Sequence, residues 1–134
     1  MIKKASELVQ KENIRIRILI AGFPGIGKTT VGLSAPKPLH IDTDFGATRV
    51  NPKHRADTIQ PNSYQELLDD LKPENLKEYE TLVFDTGGAL FDLMKPYLIQ
   101  QDAKNGKRNG DLTLQGYGAA GREFKRLMDK AYYE

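Results

Sequence analysis

Glycines, a lysine and a hydroxyl stand together in the run Gly22-Phe23-Pro24-Gly25-Ile26-Gly27-Lys28-Thr29. The run satisfies the phosphate-loop (P-loop) pattern, Gly, four residues, then Gly-Lys-Ser/Thr, at every fixed position. Gly22, Gly25 and Gly27 allow backbone conformations that a Cβ forbids, so successive N–H groups can turn toward one anion. A helix opening near Lys28 adds unpaired N–H groups and the positive end of its dipole. Lys28 brings an ammonium for the β- and γ-phosphates, and Thr29 a hydroxyl for Mg²⁺. Residues 22–30, with Pro24, Ile26 and Thr30 completing the loop, are therefore expected to bind a nucleoside triphosphate, ATP with Mg²⁺ above all. A glycine-rich turn with a solvated lysine is the alternative, and it leaves the strand before the loop and the helix after it unexplained.

Two acidic sites could complete the chemistry. Leu82-Val83-Phe84-Asp85 reads as an apolar strand ending in a carboxylate. An aspartate so placed, downstream of a P-loop, holds Mg²⁺ directly or through water. Thr86 either adds a hydrogen bond there or caps the helix that follows. Asp42 and Asp44 end another strand, and the ends of parallel strands converge on the ligand crevice. A carboxylate there could polarise the water that attacks the γ-phosphate. The competing reading of Asp44-Phe45-Gly46 is a solvated turn.

The elements that must carry these residues follow from periodicity. Ile14, Ile16 and Ile18 alternate with Arg15 and Arg17 before Leu19, Ile20 and Ala21 follow unbroken. This predicts a strand over residues 14–21 whose far end is buried on both faces. A short helix over residues 28–35 is stopped by Pro36 and Pro38, and strands are expected at residues 39–42 and 81–84. Residues 45–62 read as irregular, with a short strand near residues 58–60. Ser63 and Glu66 make a capping-box signature ahead of Leu67, Leu68 and Leu71. Helical spacing recurs from Ala89 to Leu98, with a bend at Pro96 and a stop at Gly106, and again from Ala120 to Ala131. Alternating strands and helices imply an α/β fold with a parallel sheet flanked by helices.

The 134 residues form one domain, with a charged arm at residues 1–13. Twenty basic and eighteen acidic residues give a net charge of +2, too balanced to imply a nucleic-acid partner by itself. With no cysteine, disulfides and thiolate metal sites are excluded. The absence of a long apolar run and of an apolar signal core leads to the expectation of a cytoplasmic protein.

The chain resembles the RecA-like branch of P-loop ATPases, in particular small phage-type AAA ATP-binding proteins linked to single-strand DNA annealing and recombination. The resemblance is carried by the P-loop with Thr30, by Ser34-Ala35-Pro36-Lys37-Pro38-Leu39, by Ile41-Asp42-Thr43-Asp44-Phe45-Gly46 and by Leu82-Val83-Phe84-Asp85-Thr86. It implies that Asp44, where the family usually has glutamate, activates the attacking water. It implies ATPase activity, and often an arginine or lysine from a neighbouring subunit, hence a homo-oligomer. The resemblance also implies a strand carrying a γ-phosphate sensor between the P-loop strand and the Asp85 strand. No residues after Glu134 remain to form it, so a sheet incomplete at the C-terminus is expected, either truncated or completed in another way.

Residues 105–117 are polar, glycine-containing and basic, and are expected to form a mobile loop. Lys107 and Arg108, with Tyr117 and with Arg122, Lys125 and Arg126 on the last helix, could track single-stranded DNA, Tyr117 stacking on a base. Asp102, Asp111, Glu123 and Asp129 dilute this surface, and a solvated helix face is the alternative. Two other functions use the same loop. A small-molecule kinase would need arginines in a lid, for which Arg49 and Arg55 are the candidates. A non-catalytic module would use ATP only to gate assembly.

Overall fold

The computed structural model describes residues 15–133 and, before them, Ile2, Lys4 and Ser6. The remainder of the expected arm, and Ile14, lie outside the described residues. In chain order the elements are α1 (Lys28–Leu33), β1 (Pro38–Asp42), β2 (Asp57–Ile59), α2 (Tyr64–Asp70), β3 (Thr81–Asp85), α3 (Gly87–Gln101) and α4 (Leu114–Tyr133). The strands form a three-stranded sheet in the order β2-β1-β3. Both pairings are parallel, His40 lying opposite Val83 and Asp42 opposite Asp85.

Because side chains alternate along a strand, this register divides the residues between two layers. Ile41, Leu82 and Phe84 face a core built with Tyr64, Leu67, Leu90, Met94, Leu98, Ala120 and Leu127 from α2, α3 and α4. His40, Asp42, Val83 and Asp85 face the opposite side. There α1 packs closely enough that a Cβ on Gly32 would sit 3.0 Å from Val83. The result is the expected α/β arrangement of a parallel sheet flanked by helices, consistent with a P-loop nucleotide-binding fold.

Capping explains where the helices begin. Ser63 Oγ accepts from Glu66 N, and Thr86 Oγ1 accepts from Ala89 N at 3.4 Å, so Thr86 is the N-cap of α3. Helix α3 contains Pro96 and ends at Gln101, earlier than Gly106, because Asp102 turns extended and caps a 3-10 turn over Ala103–Asn105 through Lys104 N. The next segment closes on itself through an antiparallel bridge between Gly106 and Leu112 and a bond from Lys107 N to Asp111 O of 2.7 Å. Buried Asn105 donates to Leu98 O.

One expected element differs. Residues 15–21 run into the phosphate loop without joining a sheet, and Ile16, Ile18 and Leu19 are 74%, 78% and 93% exposed. Among the described residues β3 pairs with β1 alone, and this run does not take up the other edge of β3. Its arginines hold it to the end of α4: Arg17 pairs with Asp129 at 3.0 Å and lies over the Tyr132 ring, and Arg15 donates to Tyr132 O. Apolar alternation reports what side chains can bury, and a strand also needs a backbone partner.

Candidate functional site

The P-loop bridges the exposed run and α1. Gly25 and Gly27 have φ of 81° and 94°, in the left-handed region where a Cβ is strained. Gly22 lies close under Ile26: a Cβ there would meet Ile26 Cδ1 at 2.2 Å and would displace that exposed side chain. Among the described residues, the N–H groups from Gly25 to Thr30 have no protein acceptor, since the first bond closing α1 comes from Val31 N to Gly27 O. Lys28 Nζ reaches back across the loop and donates to Gly22 O and Phe23 O, both at 2.8 Å. An ammonium has three protons, so one remains for a further acceptor. The loop thus offers a run of N–H donors without protein acceptors, crossed by a cation, which is what a polyphosphate site needs. Of its last two threonines, Thr29 is partly buried while Thr30 is exposed.

Thr29 ties this loop to the sheet. Its hydroxyl donates to Asp85 Oδ2 at 2.7 Å, across 56 positions of sequence. Asp85 ends β3 on the α1 face, and its backbone carbonyl accepts from Thr43 N at 2.8 Å and from Thr43 Oγ1 at 3.1 Å. Thr43 Oγ1 also reaches Thr86 O at 3.0 Å, so the two strand ends are joined by one side chain. The same carboxylate oxygen of Asp85 faces His40 Nε2 at 3.2 Å.

These oxygens suit Mg²⁺. It takes hard oxygen ligands, keeps several waters, and is held by one or two protein groups plus substrate phosphates. Thr29 Oγ1 and Asp85 supply such a pair. Among the described residues no group of three or more His, Cys, Asp or Glu could hold a metal without other ligands. The donor set fits a cation that arrives with phosphate.

The two aspartates at the end of β1 and in the turn after it differ in role. Asp42 is wholly buried, and its carboxylate accepts from Gly46 N, Ala47 N and Gln60 Nε2 at 2.8–2.9 Å. Burial opposes its ionisation, but these donors outweigh burial and hold its pKa below the ordinary value. Asp42 is thereby committed to shaping the turn. The turn it anchors carries Phe45 at φ 58° and presents Asp44, whose side chain is 38% exposed, 3.6 Å from Arg49 Nη2. Gly46 leaves room for that contact, since a Cβ there would lie 2.5 Å from Arg49 Nη2. Burial, the neighbouring Asp42 and the charge of Asp85 raise the pKa of Asp44, with Arg49 opposing. A carboxylate raised in this way is the better proton acceptor.

The residues considered for DNA are divided. Lys107 and Arg108 are exposed between Gly106 and Leu112, and on α4 Tyr117 is 53% exposed and Arg122 is exposed as well. Arg126 is bound to Glu123 through both Nε and Nη2, and Lys125 to Asp129. Arg55 is spent on the carbonyls of Val50 and Thr48.

Sequence reasoning missed His40, Thr43 and Gln60. His40 carried one signal, a lone imidazole between Leu39 and Ile41, but its meaning depends on β1 lying beside β3 in this register. Among the described residues no helix is long and apolar enough to cross a membrane. No significant match was found among curated proteins or among solved structures. A family model described as an AAA domain matches residues 14–133, which include the phosphate loop, both aspartate turns and all of the sheet. The match and the loop agree, and the chain belongs to the AAA domain family as a P-loop nucleotide-binding, ATPase-like protein.

Proposed function

We propose that the chain binds ATP with Mg²⁺ and hydrolyses it, as a RecA-like ATPase serving phage-type DNA recombination or single-strand annealing. The observation that carries the nucleotide part is the 2.7 Å contact between Thr29 Oγ1 and Asp85 Oδ2, which sets the loop hydroxyl against the acidic strand end. In this reading the N–H groups of residues 25–30 receive the phosphate oxygens. Lys28 exchanges its contacts with Gly22 O and Phe23 O for the β- and γ-phosphates. Thr29 and Asp85 would hold Mg²⁺, whose charge offsets the charge that develops on the phosphoryl oxygens. Asp44 accepts the proton of the attacking water. Arg49 beside it steadies the carboxylate and limits the rise of its pKa.

The test is calorimetry of ATP binding with Mg²⁺, then phosphate release from the same sample. Wild-type chain should bind and turn over. Lys28→Ala should lose about ten- to a hundredfold in affinity, as expected for a charge-assisted hydrogen bond worth about 1.5–3 kcal/mol, and should keep its melting temperature. Unchanged affinity in that variant would remove Lys28 from the site. Binding without turnover, combined with ATP-dependent assembly, would favour a gating module over an ATPase. The DNA role is supported by the family resemblance and by exposed Lys107, Arg108, Tyr117 and Arg122. Filter binding of single-stranded DNA with and without ATP checks it, and no retention in either condition would leave the nucleotide function without this partner.

A further inference from the structure

We propose that His40 is a positioning residue for Asp85, fixing the carboxylate against Thr29 so that the two oxygen donors act as a pair toward Mg²⁺. This deepens the function proposed above and rests on it. His40 occupies the central strand and is 1% exposed, between Leu39 and Ile41. A buried imidazole is costly unless its polar atoms are satisfied, and a leucine would fill a strand interior at no such cost. The side-chain partner that His40 has is Asp85 Oδ2, to which Nε2 donates at 3.2 Å. That oxygen also receives the Thr29 hydroxyl at 2.7 Å. One carboxylate oxygen is therefore held from two directions, by the sheet interior and by the phosphate loop. Oδ1 has no hydrogen-bond partner among the described residues.

The division of labour matters because the contacts differ in permanence. Thr43 fixes the backbone carbonyl of Asp85 but not its side chain. Thr29 is itself a proposed ligand, so its contact with Asp85 is renegotiated when a cation and a nucleotide bind. His40, buried in the sheet and outside the phosphate loop, is the anchor that does not change partners. A pair of donors held within a fraction of an ångström before binding loses less freedom on binding, which is the general advantage of preorganised ligands.

The experiment compares the full chain with His40→Leu, which keeps the volume and removes the donor, and His40→Gln, whose Nε2 reaches as far as the imidazole Nε2. ATP affinity is measured with Mg²⁺ and again with EDTA, and folding is followed by thermal melts. His40→Leu should lower affinity about tenfold with Mg²⁺ and stay within about twofold of wild type with EDTA. His40→Gln should recover most of the loss. Equal Mg²⁺-dependent affinity in wild type and His40→Leu would overturn the proposal, as would a folded His40→Gln that behaves like the leucine variant. Should His40→Leu not fold, His40→Asn replaces it: its amide is too short to reach Asp85, so it should show the loss that His40→Gln avoids. Crystal structures without nucleotide provide a second readout. In His40→Leu the distance from Asp85 Oδ2 to Thr29 Oγ1 should open beyond hydrogen-bond reach, and an unchanged distance would overturn the assignment. A wild type that binds no ATP in either condition would defeat the proposed function, a result distinct from any of these.

Discussion

Asp42 and Asp44 are two positions apart and chemically identical, yet their surroundings give them opposite tasks. Asp42 accepts three hydrogen bonds and is held ionised, while Asp44 sits where burial, Asp42 and Asp85 disfavour its charge. Asp44→Asn should therefore leave ATP affinity within about twofold and reduce phosphate release about 10²- to 10⁴-fold, the usual contribution of a general base. A single-turnover assay checks this, and full turnover in the variant would remove Asp44 from the reaction. The pair of aspartates was visible in the sequence, but the division between them was not. It depends on Gly46 N and Ala47 N folding back onto one carboxylate, a three-dimensional event that spacing does not encode. His40 was invisible for the same kind of reason, since it acquires meaning only when β1 pairs with β3. The P-loop was legible because its demand is local: positive φ at Gly25 and Gly27 requires glycine whatever the rest of the chain does.

At the level of elements, α1 is a six-residue helix that carries the proposed phosphate ligands Lys28 and Thr29 and rests on two strands. Its start is set by Gly27, at φ 94°. Placing a β-branched residue there costs about 1–2 kcal/mol in backbone strain and turns N–H groups away from a common point. Gly27→Val should lower ATP affinity at least tenfold and, through that strain, lower the melting temperature by a few degrees. Calorimetry and a thermal melt together check it; a variant that binds normally would show that the left-handed conformation is not needed. The helices α3 and α4 were readable from apolar spacing because each gives an apolar stripe to the common core, α3 against β3 and α4 against α3. Residues 15–21 show the converse. Their isoleucines alternate as a strand's would, but hydrophobic pattern carries no information about whether a neighbouring backbone exists to pair with.

For the whole molecule, the layer opposite the phosphate loop includes a polar link between α2 and α4 beside the apolar core. Tyr64 Oη on α2 donates to Glu123 Oε1 on α4 at 2.6 Å, while Arg126 donates to both oxygens of the same carboxylate. Burial opposes the charge of Glu123, but Arg126 and Tyr64 outweigh burial and hold its pKa below the ordinary 4.5. A carboxyl with a lowered folded-state pKa adds stability above its unfolded pKa and loses it as pH falls through the folded value. The stability of the chain should therefore decline below about pH 4.5 in part through this residue. Glu123→Gln should cost about 1 kcal/mol at neutral pH and flatten that decline. Urea midpoints between about pH 3 and 7 test both, and an unchanged slope would show that the acid sensitivity arises elsewhere.

The course of residues 15–21 outside the sheet sets two clocks within one motif. Amide protons in β1 lie in the middle of the sheet and exchange with solvent only through large-scale opening. Those of residues 15–21 enter no ladder and should exchange faster than those of β1, which amide hydrogen exchange checks. The loop is therefore tied to the sheet through α1 on one side and to α4 through the side chains of Arg15 and Arg17 on the other. The free energy that holds the sheet together and the free energy needed to order the loop around a phosphate are separate quantities in this molecule. A change that strengthens the sheet need not strengthen the grip on nucleotide.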